Sequence, residues 1–330
     1  MSFLTMTKLG AVRIGLSGWT YRPWRGVFYP EGLPQRQELA YASRRFPSIE
    51  INGTFYGLQK PDAFLRWREE TPGGFVFSIK GSRYITHLLR LKDVRVPLAN
   101  FFASGLLRLG PKLGPILWQL PPNFRVDADR LASFLALLPE DTDQALDLAR
   151  QHDSRVNDRC WLKHQGNQPM RHALEIRNDS FRSTRFVELL REHRVGLVCA
   201  DTVEWPRLMD VTADFVYCRL HGSQELYVSG YDDDALKTWA ERVSAWVRGE
   251  EPVDAERVTA PLSPSKKGRD VYLYFDNDVK VRAPADAHML AQRLGLLVGA
   301  ESKDVSTGAP RKLSTLEKPR RHWPPICSAP

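Results

Sequence analysis

The stretch FVYCRLH, residues 215–221, alternates with the two-residue period of a β-strand. Arg219 and His221 share one face, and Cys218 and Leu220 take the other. The polar pair stands at the carboxyl end of the run. Seven further runs rich in Val, Ile, Leu and Phe behave alike: Arg13–Ser17, Ser48–Asn52, Phe75–Lys80, Pro115–Leu120, Ala173–Arg177, Gly196–Asp201 and Val271–Asp276. Glu50 pairs with Asn52 on one face, Ser78 with Lys80, and Glu175 with Arg177. Gln119 ends the fourth run, Asp201 the sixth, and Asp276 with Asn277 the eighth.

Between most of these strands the apolar spacing turns helical. Ala235, Leu236, Trp239, Val243 and Trp246 form a stripe behind Asp232, Asp233 and Asp234, which suit the positive end of a helix dipole. Leu131, Phe134, Leu135 and Leu138 form another between Asp127 and Pro139. Pro61 and Pro284 sit where a first helical turn accepts proline. Ser183 is placed to cap a helix carrying Phe186, Val187 and Leu190. Strand alternating with helix argues a parallel sheet covered by helices. Eight units over about 285 residues fit a closed (β/α)8 barrel. An open doubly wound sheet usually opens on a glycine-rich turn, whereas here the first turn reads Ser17-Gly18-Trp19.

The chain divides into a lead at 1–10, a barrel domain at 11–300, and a basic tail at 301–330. That tail carries five prolines without periodicity and is expected to be disordered. Residues 140–172 and 250–270 read as excursions from barrel loops. At 330 residues, with 42% hydrophobic and 26% charged side chains, the chain is a globular protein, not a coiled coil or a disordered polymer. No apolar run approaches a bilayer span of about 18–20 residues, and the first ten residues lack a secretory pattern. Cys160, Cys199, Cys218 and Cys327 form no CxxC pair and read as buried free thiols of a cytoplasmic protein. The net charge of +8 favours anionic partners, nucleic acid among them.

In a parallel barrel all carboxyl ends meet at one mouth. The ring expected there holds Glu50, Asn52, Lys80, Gln119, Glu175, Arg177, Asp201, Arg219, His221 and Asn277. Buried charges of this kind require ion pairs, water or a ligand. A strand-end Glu/Arg pair also serves simply to hold a barrel together.

At these residues the sequence resembles the YecE-like proteins, domain-of-unknown-function family 72. The resemblance rests on IGLSGWTYRPWRGVFYP (14–30), IEINGTFYGL (49–58), FVFSIKGSRYITH (75–87), WQLPPNF (118–124), ALEIRNDSF (173–181), CADT (199–202), YCRLHG (217–222), GYDDDALKTWA (230–240) and VYLYFDNDVKVRAPADA (271–287). It runs over about residues 11–298 and implies a TIM-barrel-like fold without implying a reaction. It also marks Thr54, Tyr56 and His87 among the polar positions. Gly53 and Asp276 depart from the usual serine and asparagine. The barrel is distantly similar to sugar-isomerase and apurinic-endonuclease barrels, an analogy of fold alone.

The ring suggests four chemistries. Glu50 and Glu175, with Asp201 and His221 to relay or orient a proton, form an acid–base set. Lys80, Arg83, Arg177 and Arg219 would hold a phosphate or carboxylate, with Asn52, Tyr56, Gln119, Trp19 and Asn277 shaping the pocket. A divalent metal on Glu50, Glu175, Asp201, His87 and His221 is the lesser option, because HxH and HxxxH spacings are missing and cations crowd the set; no cofactor is expected. Aromatics beside cations, Trp19, Tyr21, Trp24, Arg25 and Phe28 after the first strand and Phe55 and Tyr56 after the second, would stack bases, although packing on the rim explains them better. A small anionic, sugar-like or phosphorylated substrate of an enzyme is the leading expectation, whether hydrolase, lyase or isomerase. The alternatives are a nucleic-acid or repair-type module and a non-catalytic ligand-binding barrel.

Overall fold

In the computed structural model of the chain, which describes residues 9–222, 226, 229–277 and 281–296, eight parallel strands close into a barrel in sequence order. They are β1 (Val12–Ser17), β2 (Ser48–Ile51), β3 (Val76–Lys80), β4 (Leu113–Gln119), β5 (His172–Glu175), β6 (Gly196–Asp201), β7 (Phe215–Leu220) and β8 (Asp270–Phe275). Closure comes from β1 pairing with β8, in register from Val12↔Val271 to Leu16↔Phe275. Each strand lies within two residues of its sequence-based bounds. The helices on the outside are α1 (Glu38–Ala42), α2 (Gly53–Tyr56), α3 (Pro61–Glu70), α4 (Arg95–Ala103), α5 (Ala128–Leu135), α6 (Thr142–Ala149), α7 (Thr184–Glu192), α8 (Asp233–Val247) and α9 (Arg282–Arg293).

The side-chain alternation divides the strands cleanly. Outward residues such as Phe77, Trp118, Leu174, Cys218 and Leu273 join the apolar layer beneath the helices. Inward residues Val76, Leu117, Ala173, Val198, Phe215, Tyr217, Tyr272 and Tyr274 fill the lumen. Above them the filling turns polar: Ser48 Oγ lies 2.7 Å from the Tyr274 hydroxyl, and Ser78 Oγ lies 2.6 Å from that of Tyr217.

Local signals mostly act as their chemistry requires. Asp232 caps α8 by accepting from Ala235 N at 2.9 Å, and Asp127 caps α5 by accepting from Arg130 N at 3.1 Å. Pro61 opens α3. Ser183 occupies the cap position of α7, yet its side chain makes no capping hydrogen bond. The strict strand–helix alternation also fails once. Residues 202–214, between β6 and β7, contain no helix; the link is short and interrupted by Pro206. The 140–172 excursion holds α6 and a 3-10 turn at Ser154–Arg159. It is tied to α4 by Asn100 Nδ2 donating to Asp153 Oδ1 at 3.1 Å and Asp153 N donating to Asn100 Oδ1 at 3.0 Å. Cys199 and Cys218 are buried free thiols; Cys160 is also free but only partly buried. The tail at 301–330, with Cys327, and most of the lead lie outside the described residues. Among the described residues no helix is long and apolar enough to cross a membrane.

Candidate active site

The mouth is organised around Arg219, which projects inward from β7 and is fully buried. Its Nε and Nη2 donate to Glu50 of β2 at 3.1 and 2.9 Å. Its Nη1 donates to Glu175 Oε2 of β5 at 2.8 Å, and Nη2 also reaches Asp276 Oδ2 beyond β8 at 2.8 Å. One cation therefore joins carboxylates from three strands. Ser17 Oγ and the Tyr217 hydroxyl complete the cradle of Glu50, donating at 2.5 and 2.6 Å. Gln119 Nε2 and Arg177 Nε donate to Glu175 Oε1 at 2.9 and 2.8 Å. Burial would raise the Glu175 carboxyl, but Arg219 and then Arg177 hold it well below the usual carboxylate range. Asp276 is likewise held low, chiefly by Arg219 against the effect of burial.

His221, one residue past β7, has Nδ1 3.1 Å from Asp276 Oδ2, and its ring meets the edge of Trp205. Burial lowers its pKa despite the nearby aspartate, which disfavours the charged ring. The guanidinium of Arg177 stacks 3.8 Å over the other partner of that contact, the Trp205 ring. Asn52 Nδ2 donates to Ser17 O and Oγ at 3.2 and 3.1 Å.

Lys80 closes the ring from β3. It is only 8% exposed, and its Nζ sits 4.5 Å from the centre of the Phe55 ring. Burial and then Arg219 lower its pKa from 10.5 to about 8, although Glu50, Glu175 and Asp276 pull the other way. Gly81 fixes the chain directly after it, since a Cβ there would stand 2.3 Å from the Trp118 ring. The backbone then winds into a π-turn, Tyr84–Leu88, with Leu89 N donating to Tyr84 O at 2.9 Å. This turn carries His87, bonded to Thr86 Oγ1 at 2.9 Å and packed edge-on to Phe55. Burial, then the charges of Arg177 and Lys80, lowers His87 to about 4. Arg90, Leu91 and Asp93 follow with left-handed φ of 51°, 66° and 49°, a strained run of the kind that collects near functional sites.

Two expected members of the ring are elsewhere. Asp201 is on the outer face of β6, where it accepts from Trp239 Nε1 at 3.1 Å and from Arg207 Nη1 at 2.9 Å. Asn277 turns to α9, donating to Asp286 Oδ2 at 2.8 Å and to Ser229 O at 3.1 Å. Both errors are errors of parity. On β6 the inward set is Val198 and Ala200, and on β8 it runs Tyr272, Tyr274, Asp276. Trp19 packs edge-on to Trp67 of α3, at 5.6 Å between ring centres, as part of the rim. Tyr56 is 69% exposed and lies under Arg83 at the rim. Glu50, Asn52, Lys80, Gln119, Glu175, Arg177, Arg219 and His221 do converge. Sequence reading missed Ser17, Tyr217 and Trp205, named Phe55 only as an aromatic for base stacking, and undervalued Asp276. Tyr217 was visible in principle, two residues before Arg219 on the same face. Among the described residues no group of three His, Cys, Asp or Glu side chains is placed to hold a metal ion.

The family model described as "Protein of unknown function DUF72" matches residues 13–311. The chain belongs to the DUF72 family. The chain is 34% identical over 113 residues to the UPF0759 protein YecE of Escherichia coli K12, a match covering 34% of this chain and 39% of that protein. It is 28% identical over 183 residues to the UPF0759 protein YunF of Bacillus subtilis, covering 54% of each. The matched segments therefore span about two fifths to half of those relatives. Among solved structures, a DUF72 family protein from Thermotoga maritima superposes with a TM-score of 0.64 at 24% identity, covering 86% of this chain and 99% of that one. One from Enterococcus faecalis gives 0.60 at 17% identity, covering 87% and 97%. At these identities the likeness bears on the fold, and it agrees with a TIM-barrel-like DUF72 domain.

Proposed function

We propose that the mouth of this DUF72 barrel is the active site of an enzyme using acid–base chemistry on a small anionic, sugar-like or phosphorylated substrate. The observation that carries this reading is the uneven partnering of charge. Glu50, Glu175 and Asp276 are all engaged by Arg219. Above them Lys80 Nζ makes no hydrogen bond or ion pair with any described residue. Four cations, Lys80, Arg83, Arg177 and Arg219, thus stand against three carboxylates, and the surplus favours an anion.

In this reading the roles expected from sequence are redistributed. Glu50 is sealed beneath Arg219 with both oxygens occupied, and Glu175 is ionised and saturated; they position Arg219 and Arg177. Arg219 is their counterion, with its donors already spent on them. The proton-transfer group of this reading is Lys80, whose pKa, lowered to about 8, suits general acid–base work. Asp276, 14% exposed at its side chain and backed by His221, orients the reacting hydroxyl. Arg177, held by Glu175 and Trp205, contacts the anion, with Arg83 at the rim.

Isothermal titration with glucose 6-phosphate, inorganic phosphate and glucose tests this. The phosphorylated compounds should bind and glucose should not. Arg177→Ala should weaken binding by about tenfold, the scale of one charge-assisted hydrogen bond. Failure of both phosphates to bind at millimolar concentration, or binding untouched by both Arg177→Ala and Lys80→Met, would overturn the reading.

A further inference from the structure

A buried lysine ordinarily finds a carboxylate. At this mouth Arg219 has taken all three that lie near: Glu50, Glu175 and Asp276. No carboxylate oxygen comes within 4.0 Å of Lys80 Nζ among the described residues. The stem of Lys80 is enclosed, its amine faces the π cloud of Phe55, and its 8% exposure leaves a route from the mouth. Thr54 Oγ1 lies 2.7 Å from the Lys80 carbonyl oxygen, and Gly81 is pinned against Trp118, so the backbone that aims the amine is fixed. A desolvated lysine beside another cation is the usual setting of an amine nucleophile.

We propose that Lys80 is a nucleophilic amine that condenses with the carbonyl group of a small anionic aldehyde or ketone to form an imine at the barrel mouth. The inference rests on the reading of the mouth as an anion-binding active site and deepens it by naming the substrate's reacting group; the Lys80 amine, given there the proton-transfer role, here takes the part of covalent nucleophile. The neutral amine attacks the carbonyl carbon, a C–N bond forms, and the π electrons pass to oxygen to give a carbinolamine. The oxygen then leaves as water, carrying both amine protons, and a C=N bond remains. Nothing is oxidised or reduced. Protonation of the imine restores the positive charge that Lys80 carried, so Glu175 and Asp276 keep a cation nearby. The local charge balance of the network is the same before and after condensation.

The test is reductive trapping on the full chain. The protein is treated at pH 7 with glyoxylate and sodium cyanoborohydride, which supplies hydride to any imine formed, and the modified lysines are mapped by peptide mass spectrometry. Lys80 should react at least about tenfold faster than every other lysine, because each pKa unit below the ordinary value gives about tenfold more neutral amine. Formaldehyde in place of glyoxylate, and inorganic phosphate as competitor, separate the two readings. Preference for Lys80 with glyoxylate, slowed by phosphate, supports both. Preference with formaldehyde alone, indifferent to phosphate, supports the amine and overturns the anion site. Phosphate binding at the mouth with Lys80 no faster than surface lysines overturns the imine and leaves the anion site standing. The comparison is made within the unmodified chain, so it does not depend on any variant folding.

Discussion

Arg219 is the residue on which the mouth depends. Removing it strands three buried or nearly buried carboxylates together, so Arg219→Met should destabilise the protein by about 3–5 kcal/mol, the usual result of breaking a buried ion pair from one side. Urea denaturation measures this, and Arg219→Lys should recover part of the loss. His172 gives the second expectation at this scale. Its Nε2 lies 2.8 Å from Pro139 O, and Trp118 Nε1 donates to its Nδ1 at 3.2 Å. A neutral ring with its proton on Nε2 satisfies both contacts, and a second proton would face the indole N–H. Burial, opposed by the Pro139 carbonyl, lowers this histidine from 6.5 to about 4. Between those values the unfolded chain takes up the proton and the folded chain refuses it. Stability should therefore fall as pH drops from about 6.5 to 4, by up to about 3 kcal/mol from this group. Unfolding free energies at pH 7.5 and 4.5 should show the drop, and His172→Phe should shrink it. Below about pH 4 a further loss follows as Glu175 and Asp276, both held low in the fold, are forced to protonate.

Elements explain why some site residues were legible and others were not. The two-residue alternation correctly gave Glu50, Lys80, Glu175, Arg219 and His221 an inward direction. Where only the last polar residue of a run was taken, as at Asp201 and Asn277, the reading landed on the outer face. The inward alternatives at those ends were the apolar Ala200 and the neighbouring Asp276. Capping chemistry was equally readable in part. Asp232→Ala should cost about 1 kcal/mol by removing the bond to Ala235 N, detectable as a lower denaturation midpoint with unchanged slope. Ser183 satisfied the same sequence rule without making its bond, because a rule about residue type does not fix a rotamer. At the end of β3, Gly81→Ala should destabilise by about 1–3 kcal/mol, since the Trp118 ring cannot retreat within the packed layer. The same substitution should slow trapping of Lys80 relative to other lysines, because it displaces the backbone that aims the amine.

Across the whole molecule the barrel has two unlike ends. The carboxyl end carries the charged network. At the amino ends of β4–β8 lies an open groove of about 980 Å³, lined among others by Arg171, His172, Asp214 and Tyr272. There Arg171 ties Asp214 and Asp270 together at 2.8 and 2.7 Å, which joins β5, β7 and β8. Active sites of TIM barrels are built at the carboxyl end, while the ion pairs of Arg171 at the other end hold strands together. The basic surplus of +8 bears on the remaining alternative, a nucleic-acid module. If the site serves a small anion, the full chain should bind duplex or abasic-site DNA no more tightly than heparin, and that binding should weaken steeply with salt. A clear preference for the abasic duplex in a competition assay would favour the repair-type reading instead.

By itself the sequence determined the eight strands, their parallel closure and the polar character of their ends, because alternation and helical spacing are local and survive in one dimension. The tertiary structure alone decided which of those polar ends meet. Arg219 claims carboxylates 169, 44 and 57 residues away along the chain, and it thereby leaves Lys80 without an ion-pair partner among the described residues. Competition among charges for one another depends on distances in space, and no spacing along the chain encodes its outcome.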